Sequence, residues 1–184
     1  MRTIVKTEQQ STLPVIYLPP GGLYVADRPT VITTVLGSCV SVVMYSPKLA
    51  VGGMCHAMLP RRTDSVVVPI GVEASFKFVD VSVTYMLKKF KDLGVDSSEL
   101  EVKLFGGANM FSGETGRTVY PGVGRQNIKA TVEIIESFNL NLLVSDLGGN
   151  QGRKIKLLSY SGTVLMQYIG RANSRDTYLE PAWS

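Results

Sequence analysis

The chain has 184 residues, of which 45% are hydrophobic and 18% are charged, and it carries a formal net charge of +4 at pH 7. This size and composition predict a single folded domain with one sizeable core, and they argue against a disordered chain. The Lys and Arg residues are scattered along the sequence, so the positive charge does not favour nucleic acid as a partner. With two Cys and one His, we expect neither a disulfide framework nor a metal site.

Residues 1–12 are polar and show no periodicity, so we predict a flexible N-terminal segment before the folded domain. They contain no apolar core typical of a secretion signal, and no apolar stretch in the sequence reaches the roughly 20 residues of a membrane-spanning helix. We therefore expect a cytoplasmic protein without membrane insertion. The folded domain is predicted over residues 13–170, and a C-terminal tail over residues 171–184.

The first third of the chain is predicted to be mostly β-strand. An apolar run begins at Val15, and the β-rich segments LYVA, VITTVL, CVSVVMY and LAVGGMCHAML begin at Leu23, Val31, Cys39 and Leu49. Further strands are predicted later in the chain from the segments ELEVKLF, LNLLVSDL, RKIKLLSY and TVLMQYIG.

Two segments have the apolar period of a helix. Apolar residues recur at three- and four-residue steps from Val72 to Leu93, and Gly94 follows directly as a helix stop. A second helix is predicted from Ile128 to Phe138. We therefore expect a single compact α+β domain in which two or more helices pack on a largely antiparallel sheet system.

The residues best suited to catalysis lie in one predicted hairpin. If residues 47–48 form a two-residue loop, counting back along both strands brings Cys39 opposite His56. Directly opposed residues share a face of the sheet, with Cβ atoms about 4.5 to 5.5 Å apart. The register is open by a residue or two because residues 52–53, both Gly, could form a bulge. A slip of one residue would place Cys55 there instead.

A Cys beside a His is the minimum arrangement for acyl transfer by a thiol. A free thiol has a pKa of about 8.5, so near neutral pH it needs an imidazole to accept its proton or stabilise the thiolate. His56 is the only His in the sequence. Gly37 allows a sharp turn before Ser38 and Cys39, and backbone amides there could face an oxyanion.

The alternative interpretation of the same residues is structural. A Cys is often a small buried hydrophobic residue, and a lone His often makes a structural hydrogen bond. Cys55 directly precedes His56, so on a strand its side chain points to the opposite face. We predict that Cys55 packs in the core.

Several motifs resemble those of one family. The string LGSCVSVVMY, followed by GGMCHAMLP with the His seventeen positions after the Cys, is similar to the signature of CheD, the receptor glutamine deamidase of bacterial and archaeal chemotaxis. The segments PPGGLYVAD, KFVDVSVTYML, VKLFGGANMF, VGRQN and LGGNQGRKI also resemble segments of that family. Together the motifs cover roughly Leu18 to Ile169.

The resemblance implies a hydrolase that converts specific Gln side chains on the cytoplasmic helices of methyl-accepting chemotaxis receptors to Glu, with methylesterase activity in some members. It implies that Cys39 is the nucleophile and His56 the general base. The family's third residue is a Thr six positions before the Cys, which corresponds to Thr33 rather than the adjacent Thr34, and its implied role is to orient the imidazole. Either Thr could have this role if the loop differs from the family pattern.

The resemblance also bears on cofactors, partners and fold. It implies no cofactor, and a CheC-type phosphatase as a further partner. The family is related to bacterial toxins that deamidate a Gln of Rho GTPases, which implies a β-sandwich-like fold flanked by helices.

Further candidate residues lie in the matched motifs. Gly37, Ser38 and Asn127 are predicted to contact the substrate or its oxyanion, although Asn127 could instead cap the second helix. The other matched positions are Gly106, Gly107, Gly148, Gly149 and Arg153. For the glycines among them, a requirement of backbone conformation is the competing explanation.

Two other functions are compatible with the sequence. One is a non-enzymatic chemotaxis adaptor that binds receptors or CheC without turnover, although the intact Cys, His and Thr argue against it. The other is a cysteine peptidase, or a toxin-like deamidase of another protein. An acidic product formed without backbone cleavage would exclude the peptidase.

Overall fold

The computed structural model describes residues 13–62, 76–109 and 122–169, together with the backbone of residues 177–179. The predicted N-terminal segment and most of the predicted C-terminal tail lie outside these ranges. None of the described helices is both long and apolar enough to cross a membrane.

Ten strands within the described residues form two five-stranded sheets. In chain order they are β1 (Val15–Tyr17), β2 (Leu23–Val25), β3 (Val31–Leu36), β4 (Val40–Ser46), β5 (Val51–Cys55), β6 (Glu101–Gly106), β7 (Asn141–Leu147), β8 (Gly152–Leu158), β9 (Val164–Ile169) and β10 (Thr177–Leu179). The first sheet has the strand order β1-β3-β8-β9-β10, and the second has the order β2-β5-β4-β6-β7. The β1–β3 and β6–β7 pairs are parallel and the others antiparallel, which confirms the largely antiparallel prediction.

The two sheets pack face to face, and two helices, α1 (Val79–Asp92) and α2 (Val123–Ser137), cover the outer face of the second sheet. The space between the sheets is filled by apolar side chains from both, including Ile32, Val43 and Phe105. We call this space the sandwich interior. Because both faces of the second sheet are covered, every residue of its central strand β4 is buried. The predicted α+β class, with helices flanking a sandwich, is confirmed.

The first helix begins later than its apolar period suggests. α1 starts at Val79 rather than at Val72, which lies outside the described residues, and Phe76 precedes the helix in a turn. The ring of Phe76 packs against Tyr85 of α1, with the ring centroids 4.7 Å apart. Phe76 is therefore an apolar contact of the helix that fits the helical spacing in the sequence, although the residue itself lies in a turn. The predicted helix stop is confirmed, since Gly94 adopts a φ of 79°.

The second helix begins earlier than predicted, at Val123 rather than at Ile128. The motif VGRQN, which resembles a turn of the family pattern, forms its first turns. Asn127 therefore lies inside the helix and does not cap it.

The hairpin of β4 and β5 has a longer connection than the two-residue loop predicted. Ser46 pairs with Val51 rather than with Leu49, and residues 47–50 make the turn. The turn ends at Ala50, which has a φ of 51°. This left-handed conformation is typical of Gly or Asn, so an Ala there leaves no signal in the sequence.

The longer turn shifts the register by two positions and leaves the faces of both strands unchanged, because side chains alternate with a period of two. Ala57 pairs with Val40 beyond the end of β5, which places His56 opposite Ser41 rather than opposite Cys39. Cys39 and His56 are therefore diagonal neighbours on one face, and the predicted direct pairing is wrong by two positions.

Candidate active site

Cys39 ends the loop between β3 and β4, directly before the first residue of β4. Its thiol is reduced and half-buried, and it packs against the apolar side chains of the sandwich interior. The strand register places the imidazole of His56 on the same face of the second sheet. The loop thus delivers the predicted nucleophile to the side of the sheet that carries the predicted base.

His56 is almost fully buried, with 2% of its surface exposed. Its Nδ1 atom lies 2.8 Å from the hydroxyl oxygen of Thr34 on β3, so a side chain of the first sheet holds an imidazole of the second. The Thr34 hydroxyl in turn donates to the carbonyl oxygen of Leu18 at 2.7 Å.

This chain of hydrogen bonds fixes the tautomer of His56. A carbonyl oxygen cannot donate, so the single proton of the Thr34 hydroxyl is used in the bond to Leu18. The hydroxyl must then accept the Nδ1–H of His56, so in the neutral ring Nε2 carries no proton. An unprotonated ring nitrogen is the form of His that can take a proton from a thiol.

The three buried side-chain polar atoms that lack a hydrogen-bond partner in the described part of the chain all belong to this region. They are the Nε2 atom of His56, the hydroxyl oxygen of Ser41 and the Oδ1 atom of Asn127. Buried polar atoms are nearly always paired in folded proteins, so such a cluster indicates a functional site. Since Nε2 has no partner, the thiol of Cys39 does not hydrogen-bond to it in this state.

The pKa values of the two residues indicate a neutral resting pair. Burial lowers the pKa of His56, an effect that the nearby Leu18 carbonyl partly opposes. Burial also raises the pKa of the Cys39 thiol, and the amide of Cys39 partly opposes that effect. At pH 7 the site therefore holds a thiol and a neutral imidazole rather than a thiolate and an imidazolium.

Thr33, predicted to orient the imidazole, does not contact it. Its hydroxyl donates to the carbonyl oxygen of Ile155 at 3.0 Å, whereas Thr34 meets His56. Adjacent residues of a strand point to opposite faces, and on β3 it is Ile32, Thr34 and Leu36 that are buried. The position that carries the hydrogen bond is Thr34.

Residues 37–39 are held in place by hydrogen bonds to all three of their backbone carbonyl groups. The carbonyl oxygen of Gly37 accepts from the amide of Ala108 at 2.8 Å, and that of Cys39 accepts from the amide of Gly107 at 2.7 Å. The carbonyl oxygen of Ser38 accepts from the side chain of Asn127 at 3.0 Å. We call residues 37–39 the nucleophile loop.

Asn127 does not have the free donor that an oxyanion contact requires. Its Nδ2 group donates to the carbonyl oxygens of Ser38 and Met58, at 3.0 and 2.9 Å, which uses both of its N–H bonds. Its side chain is fully buried. The prediction that Asn127 contacts the substrate or its oxyanion is therefore replaced by a contact with the nucleophile loop.

Comparison with known proteins identifies the family of the chain. The model of the CheD family, described as CheD chemotactic sensory transduction, matches residues 58–168. A protein of Geobacter sulfurreducens named probable chemoreceptor glutamine deamidase CheD 2 is 36% identical over 168 residues, which cover 91% of this chain and 98% of that protein. A probable chemoreceptor glutamine deamidase CheD of Maridesulfovibrio salexigens is 40% identical over 163 residues, which cover 88% and 96%. The chain belongs to the CheD family.

The FGGAN segment of this CheD family member shows why two of the matched glycines are needed. Gly106 has a φ of 106°, and a Cβ atom there would collide with the carbonyl oxygen of Cys39. Gly107 has a φ of 71°, and a Cβ atom there would collide with Ile128 of α2. Gly106 lets β6 approach the nucleophile loop and Gly107 lets α2 pack against the end of β6, so their role is backbone geometry.

Arg153 is committed to a structural network in this CheD chain. Only 3% of its surface is exposed, and its guanidinium donates to Asp146 and to the carbonyl oxygen of Gly148. The same turn accepts the amide of Asn109 at the carbonyl oxygen of Gly149. The LGGNQGR motif therefore supports the segment that holds the nucleophile loop, and its Arg binds within the protein.

An open cleft with a volume of about 530 Å³ adjoins the backbone of His56. Its lining includes Leu18, Met58, Lys77 and the turn at residues 19–22. The turn is tied to the histidine, because the amide of residue 21 donates to the carbonyl of His56 and the amide of His56 donates to residue 22, both at 2.8 Å. The cleft therefore lies beside the backbone of the segment that carries His56.

Proposed function

We propose that this chain is a chemoreceptor glutamine deamidase, which hydrolyses Gln side chains on the cytoplasmic helices of chemotaxis receptors to Glu. The names of its full-length relatives support the reaction and the receptor substrate. The observation that supports the residue assignment is the unpartnered Nε2 of His56, whose ring is held by Thr34 on the face that also bears the Cys39 thiol.

The first half of the proposed reaction forms a thioester. As the Cys39 sulfur attacks the carboxamide carbon of the Gln side chain, its proton passes to Nε2 of His56. The tetrahedral intermediate then collapses, and the imidazolium gives the proton to the departing nitrogen. Ammonia leaves, and the former Gln side chain is bound to sulfur.

The second half hydrolyses the thioester. His56, again neutral, takes a proton from a water molecule as its oxygen attacks the thioester carbon. The C–S bond breaks, the sulfur regains its proton, and Glu is released. Attack on a glutamyl methyl ester would pass through the same thioester with methanol as leaving group, so we propose methylesterase activity for the same pair.

The amides of Ser38 and Cys39 are the candidates for the oxyanion site. No backbone hydrogen bond within the described residues uses either N–H group, although all three carbonyls of the nucleophile loop are bound. A loop fixed by its carbonyls presents its amides in a preorganised direction, which is the requirement for stabilising a developing negative charge.

The cleft beside His56 supports a protein substrate. A Gln on a receptor helix is an exposed side chain on a convex surface, so it is reached best from an open cleft. We propose that residues flanking the target Gln lie against Met58 and Lys77, which line the cleft. The ammonium group of Lys77 would attract an acidic residue near the Gln.

The function is tested by incubating the protein with receptor cytoplasmic fragments and mapping Gln-to-Glu conversion by mass spectrometry. We expect conversion at specific Gln positions without backbone cleavage. Cys39→Ala and His56→Ala should each abolish it, with a loss of at least about a thousandfold in kcat/KM, because each removes a group that reacts. Cys55→Ala should retain activity and serves as the matched control.

Three results would contradict this proposal. Cleavage of the receptor backbone would indicate a peptidase, and binding without conversion by the wild-type protein would indicate an adaptor. Conversion that survives Cys39→Ala would refute the thioester mechanism.

A further inference from the structure

Asn127 on α2 joins the two chain segments that carry the reacting groups. It donates to the carbonyl of Ser38, the residue before Cys39, and to the carbonyl of Met58, the second residue after His56. The opposite amide orientation would set Oδ1 against two carbonyl oxygens, so the donors must point this way. One side chain thereby spans the nucleophile loop and the segment that follows the base.

The other hydrogen bonds of the nucleophile loop connect it to β6 and not to the segment that carries His56. The carbonyls of Gly37 and Cys39 are held by the amides of Ala108 and Gly107, which tie the loop to the end of β6, on the far side of β4 from β5. Toward His56, the backbone provides the pair of hydrogen bonds between Val40 and Ala57. Asn127 adds the connection at the loop itself.

The setting of α2 makes this connection rigid. A Cβ atom at Gly124 would collide with the carbonyl of Gly107, so the helix lies directly against the segment that holds the loop. Asn127 is fully buried one turn further along the helix. The side chain cannot swing out to meet a substrate without breaking both of its bonds.

We propose that Asn127 is a positioning residue, which sets the distance and direction of the Cys39 thiol relative to Nε2 of His56 and does not touch the substrate. This inference rests on the proposed function. The nucleophile loop begins with a Gly, which restrains the backbone weakly. The thiol and Nε2 are not hydrogen-bonded at rest, so a small change in the loop alters how readily they meet.

The test replaces Asn127 by Leu, which has a similar shape and no donors, in the full chain. We expect kcat for receptor deamidation to fall about tenfold to a hundredfold, while KM stays within about threefold, because positioning is lost and substrate contacts are kept. Asn127→Ser, a smaller change that keeps one donor, should give an intermediate kcat. It also provides the measurement if the Leu variant does not fold.

Thr131→Val is the matched control. It removes a buried hydroxyl one turn along the same helix. Within the described residues that hydroxyl hydrogen-bonds to the backbone carbonyl of Asn127, so its loss leaves both side-chain donors of Asn127 in place. Its kcat should stay within about threefold of the wild type, although we expect both Thr131→Val and Asn127→Leu to lower the thermal midpoint, since each removes a buried hydrogen bond. If Thr131→Val lowers kcat as much as Asn127→Leu does, the effect is general destabilisation and the inference is wrong. A rise in KM at unchanged kcat would instead show that Asn127 binds substrate.

A second readout separates this inference from the proposed function. The rate of Cys39 alkylation by iodoacetamide, measured against pH in a Cys55→Ala background, needs no substrate. Asn127→Leu should move this profile toward that of His56→Ala, because Nε2 of His56 is then badly placed to take the thiol proton as the sulfur attacks iodoacetamide. If the wild type lacks deamidase activity, the proposed function is wrong, and the change in the alkylation profile still tests the role of Asn127. An unchanged alkylation profile would overturn the positioning role.

Discussion

The two cysteines of this chain lie on opposite faces of the second sheet. Cys39 is half-buried and faces the sandwich interior, which also holds the imidazole of His56. Cys55 is fully buried on the opposite face, where it packs beneath the helices with Val42 and Met86 near by in the same cluster. Burial raises the pKa of Cys55 to about 11, so this thiol stays protonated and inert at neutral pH.

The difference between the cysteines comes from the layer that covers each face. The helices offer the second sheet an apolar surface, and a thiol there acts as a small hydrophobic side chain. The first sheet offers a hydroxyl, that of Thr34, which fixes an imidazole on the same face as Cys39. We therefore expect the partner across the interface to set thiol reactivity, since Cys55 is adjacent to His56 in sequence and still lies on the opposite face of the sheet.

The largest effect expected from this difference is in thiol reactivity. In the native protein near pH 8, iodoacetamide should alkylate Cys39 about a hundredfold faster than Cys55, because Cys55 reacts only after local opening of the fold. Site-resolved mass spectrometry measures both rates in one sample. Under denaturing conditions the two rates should converge. Equal rates in the native protein would show that the helix-covered face opens as readily as the active site.

The adjacent threonines give the next largest effect. Thr34→Val should lower kcat/KM about tenfold, because it removes the acceptor of the His56 Nδ1–H and leaves the ring free to adopt the wrong tautomer. Thr33→Val removes a hydroxyl that bonds only to the backbone of Ile155, and it should retain activity within about threefold. The tautomer is read from the imidazole nitrogen shifts in NMR spectra, which should change in the Thr34 variant alone. The reverse order of activities would place Thr33 in the site.

Much of the fold could be predicted because its elements have simple periods. β3 was predicted with the bounds that the structure gives it, and the end of α1 at Gly94 follows from the helix-stop pattern. The start of α1 could not be found, since Phe76 continues the period while lying in a turn. The hairpin register could not be found either, because the left-handed residue of its turn is Ala50.

Within the site, some features could be predicted from the sequence pattern and others could not. The face shared by Cys39 and His56 could be predicted because a register error of two positions does not exchange the faces of a strand. The choice between Thr33 and Thr34 could not be made from β3, since the VITTVL segment has an apolar–Thr–apolar pattern on both faces. The role of Asn127 depends on contacts between elements distant in the sequence, which no local pattern records.

The smallest effect expected is in the dependence of activity on pH, and it tests whether the pair is neutral at rest. Protonated His56 cannot accept a proton, so kcat/KM should rise with pH along an acid limb with its midpoint below 6.5, the ordinary value for His, because burial lowers the pKa of His56. A fall in activity should begin only above the pH at which an ordinary thiol ionises, because burial raises the pKa of Cys39.

A resting thiolate–imidazolium pair would reverse these shifts, and activity would then decline between about pH 8 and 9 as the imidazolium loses its proton. The stability of the protein offers an independent measurement of the same group. Because the pKa of His56 is lower in the folded chain, the unfolded chain binds the proton first as the pH falls below 6.5. The free energy of unfolding should therefore decrease from pH 6.5 toward the folded pKa. His56→Leu should remove that part of the decrease, whereas Cys55→Ala should leave it unchanged, which would assign the titration to His56, on the face of the sheet that carries Cys39.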